Sequence, residues 1–171
     1  MTAPLFPESR GAEFSPCRKY RYRWWDVWDP KLPQCLFVML NPSTADEVVY
    51  DPTLRRCRGF AETWGFGALR VCNLFAYKST DSTKLAGVTR LIDHADYFND
   101  TSIVLEARRS DRVVCAWGQH DLADARGAEV RRQINLRILH TKTDVGYLPH
   151  PKTGKLAHPL YLPASTPFTR F

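Results

Sequence analysis

The chain alternates between continuous apolar runs and segments in which apolar residues recur at helical spacing. Apolar runs at 34–40, 68–74 and 111–118 are typical of strands that are covered on both faces. A shorter run, LRILH at 136–140, predicts a fourth such strand. Basic and aromatic residues alternate in KYRYRWWDVW, 19–28, which predicts a further strand with one face on the core and the other in solvent.

Helical patterns separate the apolar runs. The first predicted helix begins at Pro52 and ends before Gly65, and two more are predicted at 91–109 and 122–136. Strands that alternate with helices in this way favour a mainly parallel sheet, because parallel neighbours need crossover connections. The predicted fold is α/β, a three-layer α/β/α sandwich around a central, mainly parallel four-stranded sheet.

One domain is expected from a chain of 171 residues. Residues 1–18, rich in Pro, Gly and Ser, are predicted to be an irregular N-terminal arm, and 19–171 a single α/β domain. The N-terminus has no continuous apolar segment, and no stretch approaches the roughly 18 apolar residues that a membrane helix needs. A cytoplasmic protein without a membrane partner is therefore expected.

Charge and cysteine content narrow the chemistry. The net charge of +6, with a pI near 9.2, favours a polyanionic partner, although a merely basic protein fits the charge equally well. The five cysteines include no C-x-x-C pair, which predicts neither a disulfide framework nor a zinc or iron–sulfur cluster. Cys35, Cys72 and Cys115 stand in apolar runs and are predicted to be buried and reduced.

Polar residues follow the ends of the predicted strands. The run 34–40 leads into NPSTAD, 41–46; the next strand ends in Asn73, and the third leads into WGQH, 117–120. Ligands of open parallel sheets bind beyond the carboxyl ends of the strands. We therefore expect these three segments to converge on one crevice.

Each candidate in this crevice also has a structural alternative. The carboxamide of Asn41 could position a water or a ligand, but for an isolated Asn-Pro pair a turn residue is the stronger interpretation. Ser43, Thr44 and Asp46 could equally cap the next segment. Asn73 has the donor and the acceptor needed to bind a pyrimidine edge, and a buried structural asparagine is as well supported.

Aromatic and basic residues offer further candidates. Phe75 and Tyr77 could stack on a base, although core aromatics are the commoner case. His158, in AHPLYL, could stabilise a developing anion. The segment 139–155 carries His140, His150, Lys142, Lys152 and Lys155, and is either a loop that contacts a nucleic-acid backbone or a solvated charged loop.

Four motifs in this order resemble the uracil-DNA glycosylase superfamily: VMLNPST, VCNLF, AWGQHDLADA and AHPLYL. The resemblance implies that Asn41 positions the attacking water and Asn73 hydrogen-bonds the flipped pyrimidine. It assigns the histidine of the closing motif to His158.

More closely, LNPSTAD, DPTLRRC, GFGALRVCNLFAYKSTD, AWG and HPLYL look like an uncharacterised bacterial and phage LNPSTAD-motif family (DUF1643-like), over about residues 20–163. This sequence departs from the glycosylase motifs at positions that affect which base is expected as the substrate. Ser43 stands where the mismatch-specific branch has glycine, and only Asp46 and Asp51 could replace the usual acidic base. Leu160 and Tyr161 replace Ser-Pro in the closing motif.

The expected function is that of a monofunctional DNA glycosylase that flips a base and hydrolyses its N-glycosidic bond. The departures favour a modified pyrimidine, in a conflict between phages and bacteria. Catalytic roles are expected for Asn41, His158, Asp46 and Asp51. Base contacts are expected from Pro42, Ser43, Asn73, Phe75 and Tyr77. Contacts to the DNA backbone are expected from Arg55, Arg56, Lys142, Lys152 and Lys155.

This hypothesis requires no cofactor and no metal. It expects DNA as the partner and a monomeric protein. Two alternatives stay open: a non-catalytic nucleic-acid-binding module of the same fold, and a hydrolase that acts on free nucleotides or nucleosides.

Overall fold

The computed structural model describes residues 9–43, 50–81, 85 and 95–171. This part of the chain contains seven strands and three α-helices around one sheet. In chain order the elements are β1 (Arg10–Phe14), β2 (Arg21–Val27), β3 (Gln34–Met39), α1 (Pro52–Thr63), β4 (Ala68–Asn73), α2 (Ala95–Arg109), β5 (Arg112–Cys115), α3 (Ala123–Arg137), β6 (Asp144–Tyr147) and β7 (Thr169–Arg170). A short 3-10 helix, Pro159–Tyr161, precedes β7.

The sheet has the strand order β1-β2-β4-β3-β5-β6-β7. The neighbours β4, β3, β5 and β6 run parallel, whereas β1, β2 and β7 are antiparallel to their neighbours. The α/β prediction is confirmed, and the prediction of a four-stranded sheet is wrong because three antiparallel strands extend it to a mixed sheet of seven. One of these, β1, lies in the segment predicted to be an irregular arm.

The strand predicted at 136–140 is also wrong. Helix α3 continues to Arg137, and Ile138 packs into the core at its end. Leu136 and Leu139 are exposed, so the apolar run is the end of an amphipathic helix rather than a buried strand. The strand that follows α3 is β6, and it lies within 139–155, the basic segment for which a loop was predicted.

Strand β3 is buried on both faces, as its sequence predicted. Cys35, Phe37 and Met39 join a core cluster with α1, while Leu36 and Val38 join a second cluster with α2 and α3. Helices therefore cover both faces of the sheet. The three cysteines predicted to be buried, at 35, 72 and 115, are fully buried with free thiols.

A buried carboxylate connects α2 to the sheet. Glu106, of which 1% is exposed, accepts hydrogen bonds from Arg23 of β2 at 2.7 Å and from Arg70 of β4 at 2.8 Å. Arg109 contributes a longer contact of 3.5 Å. Three guanidinium groups thus surround the one buried carboxylate, so its negative charge is fully compensated.

The strand order places a crevice at one edge of the sheet. The chain leaves β3 toward β4 on one side, and β5 lies on the other side of β3, so β3 and β5 form the topological switch point. Ligand sites of open α/β sheets lie at this position, beyond the carboxyl ends of the strands. Because β2 is antiparallel, its first residue, Arg21, lies at the same edge.

Candidate functional site

A cavity of about 150 Å³ lies at the switch point, and we call it the switch-point cleft. Its walls come from the ends of β2, β3 and β5, from the start of α1 and from the segment before the 3-10 helix. The lining residues are Arg21, Met39, Leu40, Asn41, Ser43, Asp51, Thr53, Trp117 and His158. Four residues singled out from the sequence, Asn41, Ser43, Asp51 and His158, thus share one cavity.

Asn41 is held by its amide nitrogen. Its Nδ2 donates to the carbonyl oxygen of Ser79 at 2.8 Å and to that of Pro42 at 3.2 Å. Pro42 is buried, and its carbonyl also accepts the backbone N–H of Ser79 at 3.0 Å. These contacts fit the turn role of Asn41, and they also fix the carboxamide. Both contacts use Nδ2, so neither of them occupies the acceptor Oδ1.

Asp51 links the turn to α1. It is the N-cap of the helix, and its Oδ1 accepts the backbone N–H of Leu54 at 2.7 Å. Its Oδ2 accepts a hydrogen bond from Oγ of Ser43, also at 2.7 Å. The carboxylate is therefore fixed in the wall of the cleft as an ordered negative charge. Asp46, the other predicted acid, lies outside the described residues.

His158 is positioned by the 3-10 helix that follows it. The backbone N–H of Leu160 donates to Nδ1 of His158 at 3.3 Å, which leaves the proton of the neutral ring on Nε2. Burial lowers the pKa of His158, and the negative charge of Asp51 opposes this shift in part. At neutral pH the ring is therefore a neutral group that can donate a hydrogen bond.

Arg21 was not predicted from the sequence, although it is the only cation in the cleft wall among the described residues. It is 2% exposed, and its Nη2 lies 3.4 Å from Oδ1 of Asn73. Burial lowers the pKa of Arg21 to about 10, and the negative charge of Asp51 opposes this shift in part. The guanidinium is thus charged at neutral pH.

Asn73 lies behind Arg21 rather than in the wall of the cleft. It is 1% exposed, and its backbone carbonyl accepts a hydrogen bond from Nδ2 of Asn99 at 2.9 Å. Phe75 is part of the second core cluster, and Tyr77 packs edge-on against Tyr20 with ring centroids 5.7 Å apart. Neither ring lines the cleft, so the predicted stacking positions are occupied by core aromatics. The ring in the wall is Trp117.

The predicted DNA-binding residues do not form one surface. Arg55 is exposed on α1, whereas the neighbouring Arg56 donates to the carbonyl oxygen of Leu162. Lys152 and Lys155 are exposed after β6. Lys142 precedes β6 and therefore lies at the opposite edge of the sheet from the switch-point cleft.

A second cavity, the adjoining cleft, has a volume of about 570 Å³. His158 lines both cavities, and Lys155 and the 85% exposed Tyr161 lie in the wall of the adjoining cleft. The two cavities therefore adjoin at His158.

Two features are absent from the part of the chain that the structure describes: a cluster of metal ligands and a membrane-spanning helix. Across the described ranges, no group of three His, Cys, Asp or Glu side chains is arranged to hold a metal ion. No helix built from described residues has the length and apolar character that crossing a bilayer requires.

A family model described as "Protein of unknown function (DUF1643)" matches residues 21–160. Comparisons with curated proteins and with solved structures gave no significant match. The matched range includes every element of the switch-point cleft, from Arg21 to His158.

Proposed function

This chain belongs to the DUF1643 family, and we propose that it is a DNA glycosylase that excises a modified pyrimidine by hydrolysis of the N-glycosidic bond. The family description names no activity, so the proposal is based on the chemistry of the switch-point cleft. The reaction type is proposed from the resemblance of the sequence motifs to those of uracil-DNA glycosylases. The preference for a modified base is proposed from the departures from those motifs.

The size of the cleft suits one aromatic ring. A cavity of roughly 150 Å³ in a protein interior is sufficient for benzene, and the switch-point cleft has about this volume. Enzymes that act on a base in DNA flip it into such a pocket. Trp117 offers an aromatic wall for the flipped base, because stacking on a ring does not depend on base identity.

The presence of both acceptor oxygens and an N–H donor in one cleft is the observation that carries the proposal. Asn41 and Asp51 supply acceptor oxygens, whereas His158 supplies an N–H donor. Hydrolysis of a glycosidic bond needs both, because water must lose a proton while the departing base gains negative charge.

In the proposed reaction, the oxygen of a water held by Oδ1 of Asn41 bonds to C1′ of the deoxyribose. The bond between C1′ and the base nitrogen breaks, and its electron pair leaves with the base. Nε2–H of His158 stabilises the base anion. Asp51 accepts the proton lost by the water, since a carboxylate keeps further lone pairs when two hydrogen bonds are made.

DNA is proposed as the substrate because the protein is basic and exposed lysines lie beside the cavity that adjoins the switch-point cleft. The net charge is +6, and Lys155 lies in the wall of the adjoining cleft, with Lys152 exposed nearby. Phosphate contacts by such residues make binding weaken as salt concentration increases. A biological role in conflict between bacteria and phages with modified DNA fits this substrate.

The test is a panel of duplexes, each with uracil, a hydroxymethylated pyrimidine or a glucosylated pyrimidine at one position. After incubation, alkali cleaves the strand wherever a base has been removed. We expect cleavage of at least one modified-pyrimidine duplex and less cleavage of the uracil duplex. Salt-dependent binding to every duplex without any cleavage would instead support a non-catalytic binding module.

A further inference from the structure

Arg21 and Asn73 form a group of hydrogen-bond donors without matching acceptors. Within the described part of the chain, Nε and Nη1 of Arg21 and Nδ2 of Asn73 are buried and have no hydrogen-bond partner. The contact between the two side chains, from Nη2 of Arg21 to Oδ1 of Asn73, is long at 3.4 Å. The unpartnered atoms of these two side chains are all donors and include a charged guanidinium, which the neutral, also unpartnered amide oxygen of the neighbouring Asn99 could not neutralise.

Three other buried or half-buried arginines differ from Arg21 because each has a carboxylate partner. Arg23 and Arg70 are paired with Glu106, and Arg58 is paired with Asp26. No ion pair of Arg21 occurs among the described residues; Asp51 acts on it only through longer-range attraction. A buried cation without a hydrogen-bonded counter-ion costs free energy, and an anion that binds to it would offset that cost.

The backbone directs Arg21 into this position. The pairing of β1 with β2 shifts register after Arg23, so that Phe14 pairs with Arg21 and Tyr22 is left over. Trp24 and Asp26 face inward at alternate positions, and regular alternation would bring Tyr22 inward next. The irregularity turns Arg21 inward instead, which is how bulges beside ligand sites redirect side chains.

We propose that Arg21, supported by Asn73, is the binding site for an anionic, acceptor-rich group of the ligand in the switch-point cleft. A carboxylate or a phosphate would satisfy both the charge and the unmatched N–H groups, whereas a neutral carbonyl would leave the charge unpaired. The group is either a carboxyl substituent of the pyrimidine or a phosphate of the nucleotide. This inference rests on the proposed function insofar as the ligand is a nucleotide or base.

The experiment compares thermal unfolding of the wild-type protein, Arg21→Met and Arg108→Met. Arg108 is exposed on α2 and serves as a control for loss of one positive charge. The probes are 5-carboxyuracil, inorganic phosphate and neutral uracil, at constant ionic strength. We expect at least one anionic probe to raise the Tm of the wild-type protein and of Arg108→Met, while Arg21→Met shows no rise.

The unliganded variants test the same proposal through stability. Arg21→Met removes an unpaired buried charge and is expected to be at least as stable as wild type. Asn73→Asp gives Arg21 an internal counter-ion, so it is expected to raise the Tm and to abolish binding of the anion. An Arg21→Met protein that does not fold, or whose Tm falls by several degrees, would show that Arg21 is structural and would overturn the proposal.

The two anionic probes show whether the bound group is a carboxyl substituent of the base or a phosphate of the nucleotide. A Tm increase with 5-carboxyuracil but not with phosphate assigns the site to a base substituent, and the reverse result assigns it to a nucleotide phosphate. Equal effects of uracil and both anions would contradict the proposal.

Failure of this inference and failure of the glycosylase proposal give different results. An anion-dependent Tm increase that needs Arg21, in a protein that cleaves no duplex, supports the anion site and rejects the glycosylase. Undiminished cleavage by Arg21→Met supports the glycosylase and rejects the anion site.

Discussion

Gly118 lies directly against His158. A Cβ atom added to Gly118 would be 3.2 Å from Cβ of His158 and 3.5 Å from its backbone nitrogen. Gly118 also has a positive φ of 76°, in the region that favours glycine. The turn after β5 therefore determines how closely His158 approaches the switch-point cleft, and the absence of a side chain at Gly118 makes this approach possible.

Substitution of Gly118 by Ala is expected to displace His158 and to reduce base excision by about a hundredfold, since small misplacements of a catalytic group have effects of this size. Gly154 is the matched control, because its φ of 68° is similar and nothing lies within 4 Å of an added Cβ. Both variants should lose roughly 1–2 kcal/mol from the left-handed backbone. Excision rates of the two variants are compared under single-turnover conditions. Equal rates would show that the contact of Gly118 with His158 is unimportant.

A second glycine contact positions Trp117. A Cβ at Gly127 of α3 would lie 2.6 Å from Cζ2 of Trp117, so Gly127→Ala should push the ring from its place in the cleft wall. We expect a loss of about 1–3 kcal/mol in urea unfolding, as for other overpacked sites, together with a raised KM.

Gly59 in α1 provides the comparison, because an added Cβ there has open space. Gly59→Ala should stabilise the protein by up to about 1 kcal/mol through helix propensity. If Gly127→Ala behaved like Gly59→Ala in both stability and KM, the proposed contact of Trp117 with the base would be rejected.

His158 should make the protein sensitive to acid. Burial lowers its pKa in the folded state, despite the nearby Asp51, so the unfolded chain binds this proton more readily. The contribution of this pKa difference to the free energy of unfolding is fully present above the ordinary histidine pKa of about 6.5. It is lost as the pH falls toward the lowered pKa of His158 in the folded protein.

The measurement is the free energy of unfolding at neutral pH and near pH 5, about where histidine becomes charged. His158→Asn keeps an acceptor for the N–H of Leu160 and should lose less stability on acidification than wild type. His140→Asn, at an exposed position, should retain the wild-type difference. Identical acid sensitivity in wild type and His158→Asn would contradict the assignment.

Glu106→Gln tests the buried ion network. The change leaves Arg23 and Arg70 without their shared carboxylate, so a loss of about 3–5 kcal/mol is expected from chemical denaturation. Glu13→Gln removes the other partner of Arg23, a side chain that is 48% exposed, and should cost less than about 1 kcal/mol. Similar losses in the two variants would mean that burial does not strengthen the network.

The parallel strands that could be predicted are the ones with strong apolar runs. β3, β4 and β5 are buried on both faces and therefore leave a clear pattern in the sequence. β6, with the sequence DVGY, has too few apolar residues to stand out. The apolar residues at 136–140 belong instead to the end of α3, where two of the three large ones are exposed.

A place in the cleft could be predicted from the sequence where a residue lies just beyond the end of a strand. Asn41 follows β3, and its neighbour Ser43 lies in the same cleft. Arg21 was missed because regular alternation in β2 would have placed it outward, and the pairing irregularity that turns it inward depends on β1. Phe75 and Tyr77 were predicted as stacking rings, but the chain turns them into the core and toward Tyr20.

The most direct test of the account compares wild-type protein with Asn41→Ala on the modified-pyrimidine duplex that gives most cleavage. Single-turnover excision and the Kd for the same duplex are measured together, and circular dichroism verifies that the variant is folded. We predict that Asn41→Ala binds the duplex as tightly as wild type and excises the base at least about a hundredfold more slowly. Equal excision rates, or no abasic product from wild type on any duplex, would contradict the proposed reaction.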